Sequence, residues 1–153
     1  MDQIKLPIYN NEAIACAIIG SFVRENDNLS LPKALLILPF VFDPKNVNYL
    51  KNRPTTPSLD LIISKNISNF VSFNLRYLEH LPTAINSLLI LQNSKTILIN
   101  NGQIKCNSIY DFNPSQKDNG NRFKEISRTF PTLNQIFENH TDSELYLKLK
   151  IEL

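Results

Sequence analysis

Glycine is scarce in this chain: 153 residues contain three, Gly20, Gly102 and Gly120. Three isolated glycines cannot build a G-x-x-x-x-G-K-[ST] phosphate loop or a G-x-G-x-x-G dinucleotide turn. Both need closely spaced glycines so that backbone amides can approach a phosphate. No G-x-S-x-G elbow and no H-E-x-x-H helix occurs either. Tryptophan is absent, and histidine is limited to His80 and His140. Cysteine is limited to Cys16 and Cys106. Cys16 lies in the apolar run "AIACAII" and reads as a small buried hydrophobe, so both cysteines are expected to be reduced.

Excess charge of one sign is lacking as well. The net charge is +2, which does not drive strong nonspecific binding to nucleic acid. No apolar run approaches the ~20 residues that span a bilayer. The N-terminus also lacks the basic start and long apolar stretch of a leader, so the expectation is a cytoplasmic protein without a membrane role.

Apolar residues are plentiful at 42% of the chain. A chain of this length buries roughly 70% of its unfolded surface without staples. It is read as a single domain, 1–153, in three parts: 8–52, 58–107 and 122–153. The expected fold class is α+β and mainly helical. Its middle is expected to be a winged-helix-like helix–helix–hairpin core, between an N-terminal buried helix and a C-terminal strand.

Asn10 and Asn11 offer N-caps for a helix to about Val23 that is apolar nearly all round. In "LSLPKALLILPFVFDPK", Ser30 and Pro32 suit a helix start, and Pro39 is expected to end or kink that helix. Asp43-Pro44 caps a short helix to about Asn52. Ser58 to Leu78 has helical spacing, with Leu59, Ile62, Ile63, Ile67, Phe70, Val71, Leu75 and Leu78 on the apolar face. "EHLP" reads as a break before a second helix, Pro82 to Leu91. Thr96–Ile99 and Gln103–Cys106 flank Asn101-Gly102, the preferred type I′ hairpin pair. Residues 107–121 read as a loop, and Arg122 to Asn139 as a helix interrupted by Pro131. "ELYLKLKIEL" alternates strictly and predicts a half-buried strand, with Leu145, Leu147, Leu149, Ile151 and Leu153 on one face.

Chemistry is hard to place. Glu138, His140, Asp142 and Glu144 cluster in sequence, but their spacing matches no metal-ligand pattern, and a solvated loop explains them. No catalytic set, metal or cofactor is expected, and no small-molecule substrate. Helix, break, helix, hairpin is also the order of a winged helix, which leaves a DNA-binding regulator as the alternative. Lys95 and Lys105 would be its DNA contacts. From Arg76 to Lys105 the charges are three basic and one acidic, which is thin for phosphate docking. There are more apolar faces than one small core needs, so some are expected to meet a partner.

"NNEAIACAIIGSFV" followed by "LSLPKALLILPFVFDP" resembles the small middle component of the bacterial three-component ABC systems, including Lamassu-type anti-phage defence. The matching positions are Asn11, Ala13, Phe22, Leu31, Pro32, Leu35, Leu38 and Pro39. The resemblance implies a non-enzymatic subunit of a hetero-oligomer. It would join an SMC- or Rad50-like ATPase to a nuclease-like effector and restrain the effector until activation. DNA would be met mainly through the complex. Interface candidates are Phe22, Leu31, Pro32, Leu35, Leu38, Pro39, Phe42, Tyr146, Lys148 and Lys150.

Overall fold

The computed structural model describes residues 7–26, 28–107 and 120–153, the side chains of 7–11 excepted. The first helix, α1, spans Pro7–Glu25 and starts earlier than the asparagines suggest. Its leading proline is preorganised for the first helical turn. Ala15, Ile18, Ile19, Phe22 and Val23 are buried, as a helix apolar on most faces requires.

A two-residue strand, β1 (Leu29–Ser30), leads directly into α2 (Leu31–Val41). The Ser30 hydroxyl accepts from the Lys33 N–H at 3.3 Å and caps α2. The helix runs through Pro39, where an end or kink was expected. Pro39 lies in the last turn, so only one intrahelical hydrogen bond is forfeited. The unbroken buried run from Leu36 to Val41 holds the turn in place. Asp43 caps α3 (Pro44–Leu50), its carboxylate accepting from the Lys45 N–H at 2.9 Å.

The stretch read as one helix from Ser58 to Leu78 is divided. It comprises α4 (Leu59–Lys65), the single turn α5 (Ile67–Phe70) and the start of α6 (Phe73–Asn93). The break expected at "EHLP" is absent, because α6 continues through Pro82. Pro82 is exposed, so water can reach the Leu78 carbonyl that it leaves without a donor. Tyr77, Ala84, Leu88 and Leu91 are buried on both sides of it and hold both halves of the helix against the core. The helix–break–helix of a winged helix is therefore replaced by one 21-residue helix.

The hairpin forms as its turn predicts: β2 (Ile97–Asn100) pairs antiparallel with β3 (Gln103–Cys106). Asn101 and Gly102 have φ of 50° and 73°, as a type I′ turn demands. β1 adds to the far side of β3, giving the order β1-β3-β2. With glycine so scarce, left-handed positions fall to Asn28, Asn52 and Asn101 and to two lysines, Lys95 and Lys150.

The loop assigned to 107–121 lies mostly outside the described residues. α7 (Gly120–Ser127) and α8 (Phe130–Glu138) follow, parted just before Pro131. The strand expected at the C-terminus is instead a helix, α9 (Asp142–Lys148). Thr141 and Glu144 form a reciprocal capping box, and the buried pair Leu145 and Leu149 has i, i+4 spacing. Leu147, on the predicted inner face of a strand, is 77% exposed. The chain is thus mainly helical α+β with a small antiparallel sheet.

The core gathers around α6, whose main neighbours are α1 and α2. Phe22 meets Phe130 and Phe137 edge-on at 5.3 and 5.7 Å. Phe40 meets Phe73 at 4.9 Å and Phe137 at 6.3 Å. Offset and edge-on aromatic contacts of this kind add ~0.5–1.5 kcal/mol each beyond area burial.

Candidate partner-docking surface

The structure sorts the sequence-derived interface residues by depth. Phe22, Leu38 and Pro39 are enclosed by the chain itself. Leu31, Pro32, Leu35 and Phe42 are half-buried on the core's flank. The Phe42 and His80 rings meet edge-on with their centroids 5.0 Å apart. Tyr146 is half-buried too. Its hydroxyl donates to the Pro32 carbonyl at 2.8 Å, and burial pushes the phenol pKa well up. Lys148 reaches both Asp60 carboxylate oxygens at 2.8 Å. Lys150 is exposed at the end of α9.

Arg76 ties the end of α2 and the cap of α3 to α6. Its guanidinium donates to the carbonyls of Asn69 (2.8 Å) and Pro39 (3.4 Å) and lies 3.4 Å from the Asp43 carboxylate. Burial lowers its pKa, an effect that Asp43 and Glu79 oppose, and it remains charged. Pro39 thus serves twice: its ring lies in the core and its carbonyl receives a cation.

Glu138, His140, Asp142 and Glu144 all have structural partners. His140 Nδ1 donates to the Ile136 carbonyl at 2.8 Å. Asp142 accepts from the Ser30 hydroxyl at 2.7 Å, joining α9 to the cap of α2. Glu144 serves the capping box, and Glu138 accepts from the Asn134 amide at 3.1 Å. Lys95, the first of the two proposed DNA contacts, closes α6 in the left-handed conformation. Its N–H reaches the Gln92 carbonyl, and that of Thr96 reaches Leu91. Lys105, the second, is exposed on β3 opposite Leu98.

The sequence reading missed the outer face of α6. The helical spacing groups Leu75 and Leu78 with Ile67 and Val71 on one apolar face that also holds Leu59, Ile62 and Phe70. Leu75, Leu78, Ile67 and Val71 are exposed, as are Ile85, Leu89 and Ile90 further along. The signal was present as a second apolar periodicity, hidden because α6 is apolar on two faces. Beside its N-terminal end is a groove of about 370 Å³. Ile63, Ile67, Phe70, Val71, Asn74 and Leu149 line it, with Lys148 and Lys150 at its rim.

Among the described residues, no helix is long and apolar enough to cross a membrane, and no His/Cys/Asp/Glu group is arranged to hold a metal. No curated protein and no solved structure matches the chain. A family model does, over residues 6–153: that of the ABC-three component (ABC-3C) system Middle Component 3. The resemblance carried by "NNEAIACAIIGSFV" and "LSLPKALLILPFVFDP" is thereby extended over almost the whole sequence, and the chain belongs to the Middle Component 3 family of ABC-three component systems.

Proposed function

We propose that this chain is a non-catalytic adaptor that joins the ATPase of a three-component system to its effector and restrains the effector until activation. The ATPase would be SMC- or Rad50-like, the effector nuclease-like, and the role anti-phage defence of the Lamassu type. The observation that carries this reading is family membership across residues 6–153. Two features of the molecule support it. The titratable residues that looked most like a reactive cluster are committed to caps and helix ends. The longest helix leaves a row of aliphatic side chains in water.

The test is reconstitution. The three components are co-expressed and resolved by size-exclusion chromatography, with and without this chain. An adaptor makes ATPase and effector co-elute only when it is present, and its omission raises effector activity. ATPase and effector joining equally well without the chain would overturn the reading. Tight, salt-sensitive duplex binding by the chain alone would favour a DNA-binding regulator instead.

A further inference from the structure

Leu75, Leu78, Pro82, Ile85 and Leu89 on α6 are separated by steps of three, four, three and four, and Val71 lies four residues before Leu75 in the turn that leads into the helix. Those steps define the a and d positions of a heptad, the seam that one helix presents to another. The five aliphatic members are 44–78% exposed, and Pro82 is exposed with them. They form a face distinct from the one that Tyr77, Ala84, Leu88 and Leu91 turn to the core. Between Pro82 and Asn93 the helix has no Asp, Glu, Lys or Arg, although a solvated face normally carries them. Contiguous apolar patches beyond a few hundred Å² are rare on monomers and mark association sites.

Glu79 is exposed beside Leu78 on the flank of this face, and lysines stand at its two ends, where charge selects the occupant. Lys150 lines the groove beside Val71 and has no ion pair among the described residues. Lys95 is exposed just past the other end of α6. A second copy of this chain fits poorly in either symmetric arrangement. Parallel pairing brings like lysine ends together. Antiparallel pairing about Pro82 sets Lys95 near Lys150 of the other copy. A helix with acidic residues at both ends and an apolar middle meets the same surface with complementary charge.

We propose that the outer face of α6 docks an amphipathic α-helix from another component of the system, apolar at three–four spacing and acidic where it passes Lys95 and Lys150. The proposal rests on the adaptor reading, since the helix belongs to a component that the chain joins. A strand does not fit this surface, because its side chains repeat every two residues and cannot follow a heptad seam.

The experiment measures association of the full-length chain with each of the other two purified components by titration. The variants are Ile85→Lys with Leu89→Lys, the milder Ile85→Ala with Leu89→Ala, and Lys95→Glu with Lys150→Glu. Leu98→Lys, exposed on β2 and off the stripe, is the control. The lysine pair is expected to weaken binding of one component at least tenfold, and the alanine pair several-fold, with thermal midpoints near wild type. The glutamate pair should weaken it several-fold at low salt and less at high salt. The control should bind as wild type. Wild-type affinity in both stripe variants overturns the proposal while leaving the adaptor reading intact. Absence of wild-type association with either component removes both. A wild-type homodimer dissolved by the stripe variants, with component binding unchanged, assigns the face to a second copy and also overturns the proposal.

Discussion

The Tyr146 hydroxyl donates to the Pro32 carbonyl across 114 residues of sequence, at 2.8 Å. Tyr77 lies with its oxygen 3.3 Å from the same hydroxyl and its ring edge-on at 5.7 Å. Because the Tyr146 proton is committed to Pro32, Tyr77 is the donor between the two phenols. The last helix, the first turn of α2 and the N-terminal part of α6 are thus joined at one point. Tyr146→Phe should cost about 1–2 kcal/mol, since it strands a half-buried carbonyl and removes the acceptor for Tyr77. Chemical denaturation with an unchanged m-value tests this.

The helical end of the chain has a direct mutational signature. Leu145→Ala should cost about 2–5 kcal/mol, as expected for a fully buried leucine. Leu147→Ala should stay within about 0.5 kcal/mol of wild type. A strand would bury both on one face and make the costs similar. The two thermal midpoints decide between the geometries.

The left-handed lysines leave room for stabilisation. Lys95 and Lys150 each end a helix at φ of 60° and 55°, where a side chain is disfavoured and glycine is not. Lys95→Gly and Lys150→Gly should each add about 0.5–1 kcal/mol, or roughly 1–4 °C in midpoint for a chain of this size. Scanning calorimetry gives the answer.

Burial lowers the His80 pKa below its ordinary value, and the neighbouring Arg76 and Arg122 lower it further, while Glu79 opposes them. The unfolded chain therefore binds the proton more readily. The stability His80 contributes is complete above its unfolded value of about 6.5 and is lost as pH falls from there toward its folded value. Stability should decline between about pH 7 and 5, and His80→Gln should flatten that part of the curve. Urea midpoints across the range measure it.

What the sequence made legible is local. The Ser30 and Asp43 caps and the Asn-Gly hairpin depend on residues within four positions of one another, and all formed as read. What it concealed depends on distant packing. "ELYLKLKIEL" fits period two, and only the Thr141–Glu144 box and the pocket for Leu145 and Leu149 decide for a helix. Pro82 looks like a boundary until Tyr77, Ala84, Leu88 and Leu91 are seen gripping the same core from both sides of it. The two-residue strand β1 has no periodicity to detect and exists because β3 has a free edge beside it. The outer face of α6 was misread for the opposite reason: its aliphatic residues follow a genuine helical period, but they point away from this chain.

Pro82 gives α6 a mechanical character that its continuity conceals. The hydrogen-bond ladder of the helix lacks a rung there, midway along a rod of about 30 Å. One half of the rod leans on α9 through Tyr77, and the other leads into β2. Force applied along the outer face is therefore borne least stiffly at its centre. Bending of α6 would concentrate at that rung and tilt the hairpin end relative to the tyrosine end.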